Sequence, residues 1–504
     1  MVTTTDGTVA ALEPRTGIQA WALHVPVPDG LEPMLLATPV QVKNKLVIAY
    51  QLHTLDTKER QSHRVAVIDL DKQAFDDAYP EVELTAEKPT GDGLGVVKFD
   101  PPYALSRAAL VHGRTAGAQM GYVYVSLANY MDMQPWHGWV FEINLDAWAA
   151  KGAAGAISAV LLTTPESDCG EADAPGSRSS LCGGGVWSHA GPQVYPVGDS
   201  FELLVPTGNG QLNINRKDYA NTLMRLRPGL SFEPGCDEKL CANFDPLAPA
   251  TACVESCTNL FIPRLLSGDA PLRPASGACE GKTFWECVAW MDYDLGSSSP
   301  VKVVLPDGPA LYVQPSKDGH VYLIDANHMG ILYDRERLVE TCGAPGDECR
   351  QDWAGMIMTQ PALTFVHETP VVIVPTFLPD KTHPAGLVAL KIIMKGGKPR
   401  FERFWTAPNF STEEAVQRFR SRSSRVALAP FGKNGELYGW VFEAYTILGV
   451  RIRDGAIVER ALMAGWGRRF ILPLIYDDVL YVPSCLGEWG LSRLEAYAIV
   501  RREE

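Results

Sequence analysis

The chain is short of several things, and each shortage removes a class of function. Its 504 residues hold no uninterrupted apolar run of the length that crosses a bilayer as a helix, which argues against a transmembrane bundle. No Cys-x-x-Cys-His sequence occurs, so covalent c-type haem is excluded, and no two cysteines have the two-residue spacing that zinc sites favour. Nucleophile elbows, phosphate loops and dinucleotide fingerprints are missing as well. Excess positive charge is also lacking: 45 Lys and Arg stand against 59 Asp and Glu, a formal net charge of −14 that opposes nucleic acid and acidic membrane surfaces. The one dense basic run, Arg418, Arg420, Arg422 and Arg425, alternates with small polar residues and Phe419 and reads as a solvated face. Helical periodicity is scarce, and its best examples, DAWAAKGAAGA and STEEAVQRFRSR, are short enough to decorate loops. The opening segment MVTTTDGTVAALEP has neither a basic nor an apolar region, which conflicts with export unless a signal segment was removed or lies upstream.

What is present is an ordinary globular composition, 46% hydrophobic and 21% charged, in a chain longer than one hydrophobic core usually organises. Several domains or a radial repeat must therefore be at work. Six of the eleven cysteines (Cys236, Cys241, Cys253, Cys257, Cys279 and Cys287) crowd into one stretch rich in Pro, Gly and Ala, which reads as a disulfide-rich insertion over residues 232–289. Cys169 with Cys182 and Cys342 with Cys349 are local pairs of the same kind, leaving Cys485 over. That cysteine usage points to an oxidising compartment, periplasmic, secreted or at the cell surface.

The repeat is legible in TDGTVAALEPRTGIQAW, where Asp6-Gly7 turns, Val9 and Ala11 alternate as a strand, and Thr16-Gly17 turns again before Trp21. A second copy is KDGHVYLIDANHMG, in which Asp318-Gly319 opens the turn and Val321, Leu323 and Asp325 follow at strand spacing. Looser copies, HRVAVIDLD, HGWVFEINLD, AGLVALKI and SRLEAYAI, alternate with short apolar strands punctuated by Pro, Gly or Asp. Such units, stacked around an axis, predict an all-β fold: a single β-propeller over residues 1–504, of about eight four-stranded blades, with seven as the alternative because the first and last units are incomplete.

These units resemble the pyrroloquinoline-quinone (PQQ) type propeller repeat, and the ordered motifs GGGVWSHAGP, PTGNGQLN, WMDYDLGSSSP and SKDGHVYLIDANHMG resemble the quinoprotein alcohol dehydrogenase superfamily. The resemblance implies that Trp187 stacks on the quinone, that Asn209 and Asp132 bind calcium, that Asp292 or Asp294 is the general base, and that Lys317 contacts the quinone oxygens. It departs from the pattern in three places: Met291 separates Trp290 from Asp292, Asp132 replaces a longer glutamate, and the adjacent cysteine pair that covers the quinone in many members is absent. Two functions follow. One is a quinone-free binding or scaffold propeller that takes a protein, peptide or glycan on its loop face or cysteine-rich insertion, with Trp187, Asn209, Asp292 and Asp294 serving turns and packing. The other is a PQQ- and calcium-dependent dehydrogenase that oxidises a small alcohol and passes electrons to an external acceptor. A minor third is a metal-dependent enzyme using His137 and His189.

Overall fold

The computed structural model describes residues 1–129, 137–165, 183–269, 271–272, 277–338, 357–376, 386–407, 424–431, 435–467, 471–485 and 492–499. Asp132, the pairs Cys169/Cys182 and Cys342/Cys349, the arginines Arg418, Arg420 and Arg422, and the STEEAVQRFRSR segment lie outside them.

Among the described residues, eight antiparallel sheets follow one another in chain order as the blades of a β-propeller, so the count is eight and not seven. The first has three strands (Val2–Thr3, Thr8–Leu12, Gln19–His24), and blades 4 to 7 are four-stranded. The chain divides into two compact units, Met1–Ile262 and Pro263–Glu504, with four blades in each. Helices are peripheral: α1 (Leu145–Lys151), α2 (Thr251–Ser256) and α3 (Phe284–Trp290) all lie in connections.

Strand alternation explains how so long a chain is stable. In blade 2, Lys45–Thr54 pairs with Arg60–Asp69, and side chains point alternately to opposite faces. Val47, Ala49, Val65 and Val67 join a core with Val123, Val125, Trp139 and Phe141 of blade 3, while Ile48, Tyr50, Leu52, Ala66 and Ile68 join another with Val9 and Val25. The second unit repeats the plan, Val313, Val321 and Leu323 of blade 5 packing on Val372, Val388 and Leu390 of blade 6. Blades 2 and 6 are thus apolar on both faces, and the interfaces they make with neighbouring blades are small cores of their own.

The aspartates of the repeat are turn caps. Asp6 and Asp318 each accept the backbone N–H two residues on, from Thr8 at 3.1 Å and His320 at 3.0 Å, while Gly7 and Gly319 take the positive φ that the turns require. At the far ends of third strands, Asp69 accepts from Asp71 and Lys72, and Asp325 from Asn327 and His328. Trp405 closes blade 6 by donating its indole N–H to Ile452 O at 2.7 Å, and the Gly455 Cα lies so close that an added Cβ would meet the Trp405 ring at 2.7 Å.

Three disulfides staple the described residues. Cys236–Cys257 and Cys241–Cys253 are nested within the connection between the third and fourth strands of blade 4. Cys279–Cys287 lies beyond that fourth strand, Leu260–Phe261, in the segment that leads into blade 5. The stretch 232–289 is therefore interrupted by a strand. Cys485, outside these three bonds, donates its thiol to Trp466 O at 3.6 Å.

Candidate functional site

In an antiparallel four-stranded blade, the connection between strands two and three lies at the same end as the segment that enters the blade. Each described residue singled out from the sequence sits at this entry end of its blade. His137 lies between the second and third strands of blade 3, Trp187 and His189 lead into blade 4, Asn209 follows its second strand, Asp292 and Asp294 lead into blade 5, and Lys317 turns between its second and third strands.

The blade-5 residues converge. Lys317 Nζ lies 3.0 Å from Asp292 Oδ2 and 3.0 Å from Asp294 Oδ1, and its backbone N–H donates to Asp294 O at 3.3 Å. The lysine and Asp294 side chains are almost wholly buried, at 7% and 1% exposure, whereas Asp292 is a third exposed at 34%. Burial acts to lower the lysine pKa, but the charges of Asp294 and Asp292 outweigh it, so the ammonium is held above its ordinary range. One cation between two carboxylates leaves a local charge of −1, presented to solvent through Asp292. That residue has a φ of 56°, an unusual backbone state for a non-glycine and one that must be held by its surroundings.

What holds it is the stapled segment before it. Cys279, Phe284, Cys287, Val288, Met291 and Tyr293 form a small core of their own. Met291 N–H donates to Cys287 O and Tyr293 N–H to Val288 O, which fixes the chain on both sides of Asp292. Met291, an interruption of the family motif in the sequence, is an inward anchor that turns Asp292 toward Lys317. Trp290, just before Met291, is 48% exposed, with Lys282 Nζ 5.1 Å from the ring centroid. Replacing Cys279 and Cys287 together by serine is expected to cost about 2–3 kcal/mol, from the freed loop entropy. Urea unfolding of the double variant measures it, and faster proteolysis within residues 277–294 marks where the loss falls.

The first-unit candidates form a separate arrangement. Gly183 bridges His137 on one side and Gly210 on the other, and Gly184 N–H donates to Asn209 O at 2.8 Å. The backbones run so close that a Cβ on Gly138 would lie 1.9 Å from Gly184 O, so only glycine fits there. His137 Nδ1 lies 2.8 Å from Thr164 O, and burial pushes this imidazole down to about 4, keeping it neutral against the weaker pull of that bond. Trp187 is 8% exposed, its face covered by the Arg107 guanidinium at 4.7 Å and its ring 6.2 Å from His189 in an edge-on contact. A ring so enclosed offers little surface for a stacked quinone, so Trp187 as placed does not fit that cofactor. Among the described residues no three His, Cys, Asp or Glu side chains gather as a metal site.

Sequence reasoning missed Arg107 over Trp187, the exposure of Trp290, and the buried groups behind Lys317. Trp290 alone carried a signal, as an aromatic beside two carboxylates.

No protein-family model matches the chain, and no curated protein sequence matches it. Solved structures do. The quinohemoprotein alcohol dehydrogenase of Pseudomonas putida superimposes with a TM-score of 0.51 at 11% identity, over 97% of this chain and 68% of that one. That of Comamonas testosteroni gives 0.42 at 8% identity, over 93% of this chain and 75% of the other. With apolar blade interfaces, aspartate-capped turns and this likeness together, the chain has the β-propeller fold of the quinohemoprotein alcohol dehydrogenases.

Proposed function

We propose that this chain is a quinone-free, extracytoplasmic binding propeller that takes a hydroxyl-rich ligand, a glycan, at the entry end of blade 5. The observation that carries this reading is the Lys317 ammonium, already shared by Asp292 and Asp294 at 3.0 Å each, with the exposed Trp290 two residues before Asp292 in the chain. An aromatic face takes the apolar side of a sugar ring, and a fixed carboxylate accepts hydrogen bonds from its hydroxyls. The local charge of −1 disfavours a polyanion such as a tricarboxylate quinone and tolerates a neutral polyol. The oxidising location is supported by the three disulfides, and no helix of the described residues is long and apolar enough to cross a membrane.

The second reading, a PQQ- and calcium-dependent alcohol dehydrogenase with an external electron acceptor, is favoured by the meeting of Lys317 with Asp292 and Asp294 and opposed by the enclosed ring of Trp187. Screening the purified protein on a glycan array tests the first reading. Binding to a defined neutral glycan, weakened about tenfold or more by Trp290→Ala and by Asp292→Asn, is the expected outcome. Failure to retain any glycan, or binding indifferent to both substitutions, contradicts it.

A further inference from the structure

Directly behind Lys317 lies a group of polar side chains with almost no access to solvent. Asp318 Oδ2 accepts the Tyr322 hydroxyl at 2.5 Å and faces His320 Nδ1 at 3.1 Å, while Oδ1 accepts the His320 backbone N–H at 3.0 Å. Asp318 is 6% exposed, and His320 and Tyr322 are both fully buried. Burial acts to raise the Asp318 carboxyl, but the charge and bonds of His320 and the Tyr322 hydroxyl outweigh it and hold it down at about 2. Tyr322 stands opposite Arg335 across the ladder to the fourth strand. Arg335 in turn donates to Arg264 O at 3.2 Å and pairs with Asp269. Asp269 belongs to the segment that goes on to Cys279–Cys287 and Asp292. A chain of contacts thus joins the turn that carries Lys317 to the segment that carries its carboxylate partner.

We infer that Asp318, braced by Tyr322, is a positioning residue that locks the Ser316–Gly319 turn so that the Lys317 ammonium is delivered between Asp292 and Asp294 before any ligand arrives. The physical requirement is clear. Lysine is long and flexible, and holding its ammonium at 3.0 Å from two carboxylates on another segment demands a rigid backbone at its base. The Asp-Gly turn alone does not supply that. Asp6 caps its turn in the same way but is exposed at the surface, whereas Asp318 adds a buried tyrosine and histidine to the cap. The inference rests on the reading of Lys317 as part of the blade-5 site, but its test needs no ligand.

The test is acetylation of the intact protein with a water-soluble acetyl donor at limiting dose, followed residue by residue by mass spectrometry, in wild type, Asp318→Asn and Tyr322→Phe. Lys317 should react about tenfold faster in each variant, the loss of one charge-assisted hydrogen bond, while Lys302 on the same blade and Lys398 on blade 6 keep their wild-type rates. An unchanged Lys317 rate in a folded Tyr322→Phe protein overturns the inference, as does a rise shared by all three lysines, which would mean general loosening. Tyr322→Phe removes a single oxygen and keeps the test alive if Asp318→Asn does not fold. Selective acetylation in a protein that binds no glycan would uphold this inference while removing the glycan reading.

Discussion

Replacing Lys317 by methionine is expected to destabilise the protein by about 3–5 kcal/mol, because it strips the cation from a carboxylate that cannot reach water. Asp294 is 1% exposed, so in the variant its charge must be neutralised or carried in a dry site, and neither is cheap. The companion change makes the cause visible: Lys317→Met combined with Asp294→Asn should recover most of the loss, since the charge left stranded is gone. Urea unfolding of the four proteins in this cycle gives the coupling directly. The pH dependence follows with a definite sign. The lysine pKa is raised in the folded chain, so its stabilising contribution is complete below its ordinary 10.5 and is lost as pH climbs through the higher folded value. Wild type should therefore lose stability above about pH 10.5 more steeply than Lys317→Met. Parallel alkaline slopes would show that the ion pair is not the source.

Glu142→Ala is expected to cost about 2–3 kcal/mol, and it acts in the first unit, far along the chain from the blade-5 cluster. This carboxylate is 1% exposed on the third strand of blade 3 and accepts from Tyr124 at 2.8 Å, Ser158 at 2.7 Å and the Gly229 N–H at 2.6 Å. Gly229 opens the connection of blade 4 that holds the nested disulfides, so one side chain ties two blades and an insertion together. Truncation leaves the buried Tyr124 hydroxyl unpaired, at about 1–3 kcal/mol, and breaks the ties to Ser158 and Gly229, which lie at the surface where water can replace them. Tyr124→Phe removes only one donor and should cost about 1 kcal/mol. Thermal melts of the two variants separate the single bond from the hub, and equal losses would contradict the assignment.

Much of the architecture is readable from residue order because it is local. The Asp-Gly turns at residues 6–7 and 318–319, the aspartates that end strands at 69 and 325, and the period-two alternation of blade 2 all act within a few positions of themselves. The blade count needed the sheets, since the first unit of the repeat has three strands and gives no inner strand to count from. The site was legible only in part. WMDYDLG and SKDG announce carboxylates and a lysine, but nothing in their spacing says that one ammonium lies 3.0 Å from both. Glu142 is silent in WVFEINLD, because one of its partners, Gly229, is 87 residues away. Arg107 has no motif at all, and only the structure shows it over the ring of Trp187, the most suggestive tryptophan in the chain.

The central claim, that this propeller keeps the fold of the quinoprotein dehydrogenases without their cofactor, is tested most directly by titrating the folded protein with PQQ in the presence of calcium. Tryptophan fluorescence and quinone absorbance are followed together, with Trp187→Ala, Asn209→Ala and Lys317→Met as controls. The account predicts no saturable change in either signal, and the same small response from wild type and all three variants. Tight, saturable binding that is abolished by Trp187→Ala or Asn209→Ala would contradict it and make the dehydrogenase the correct reading.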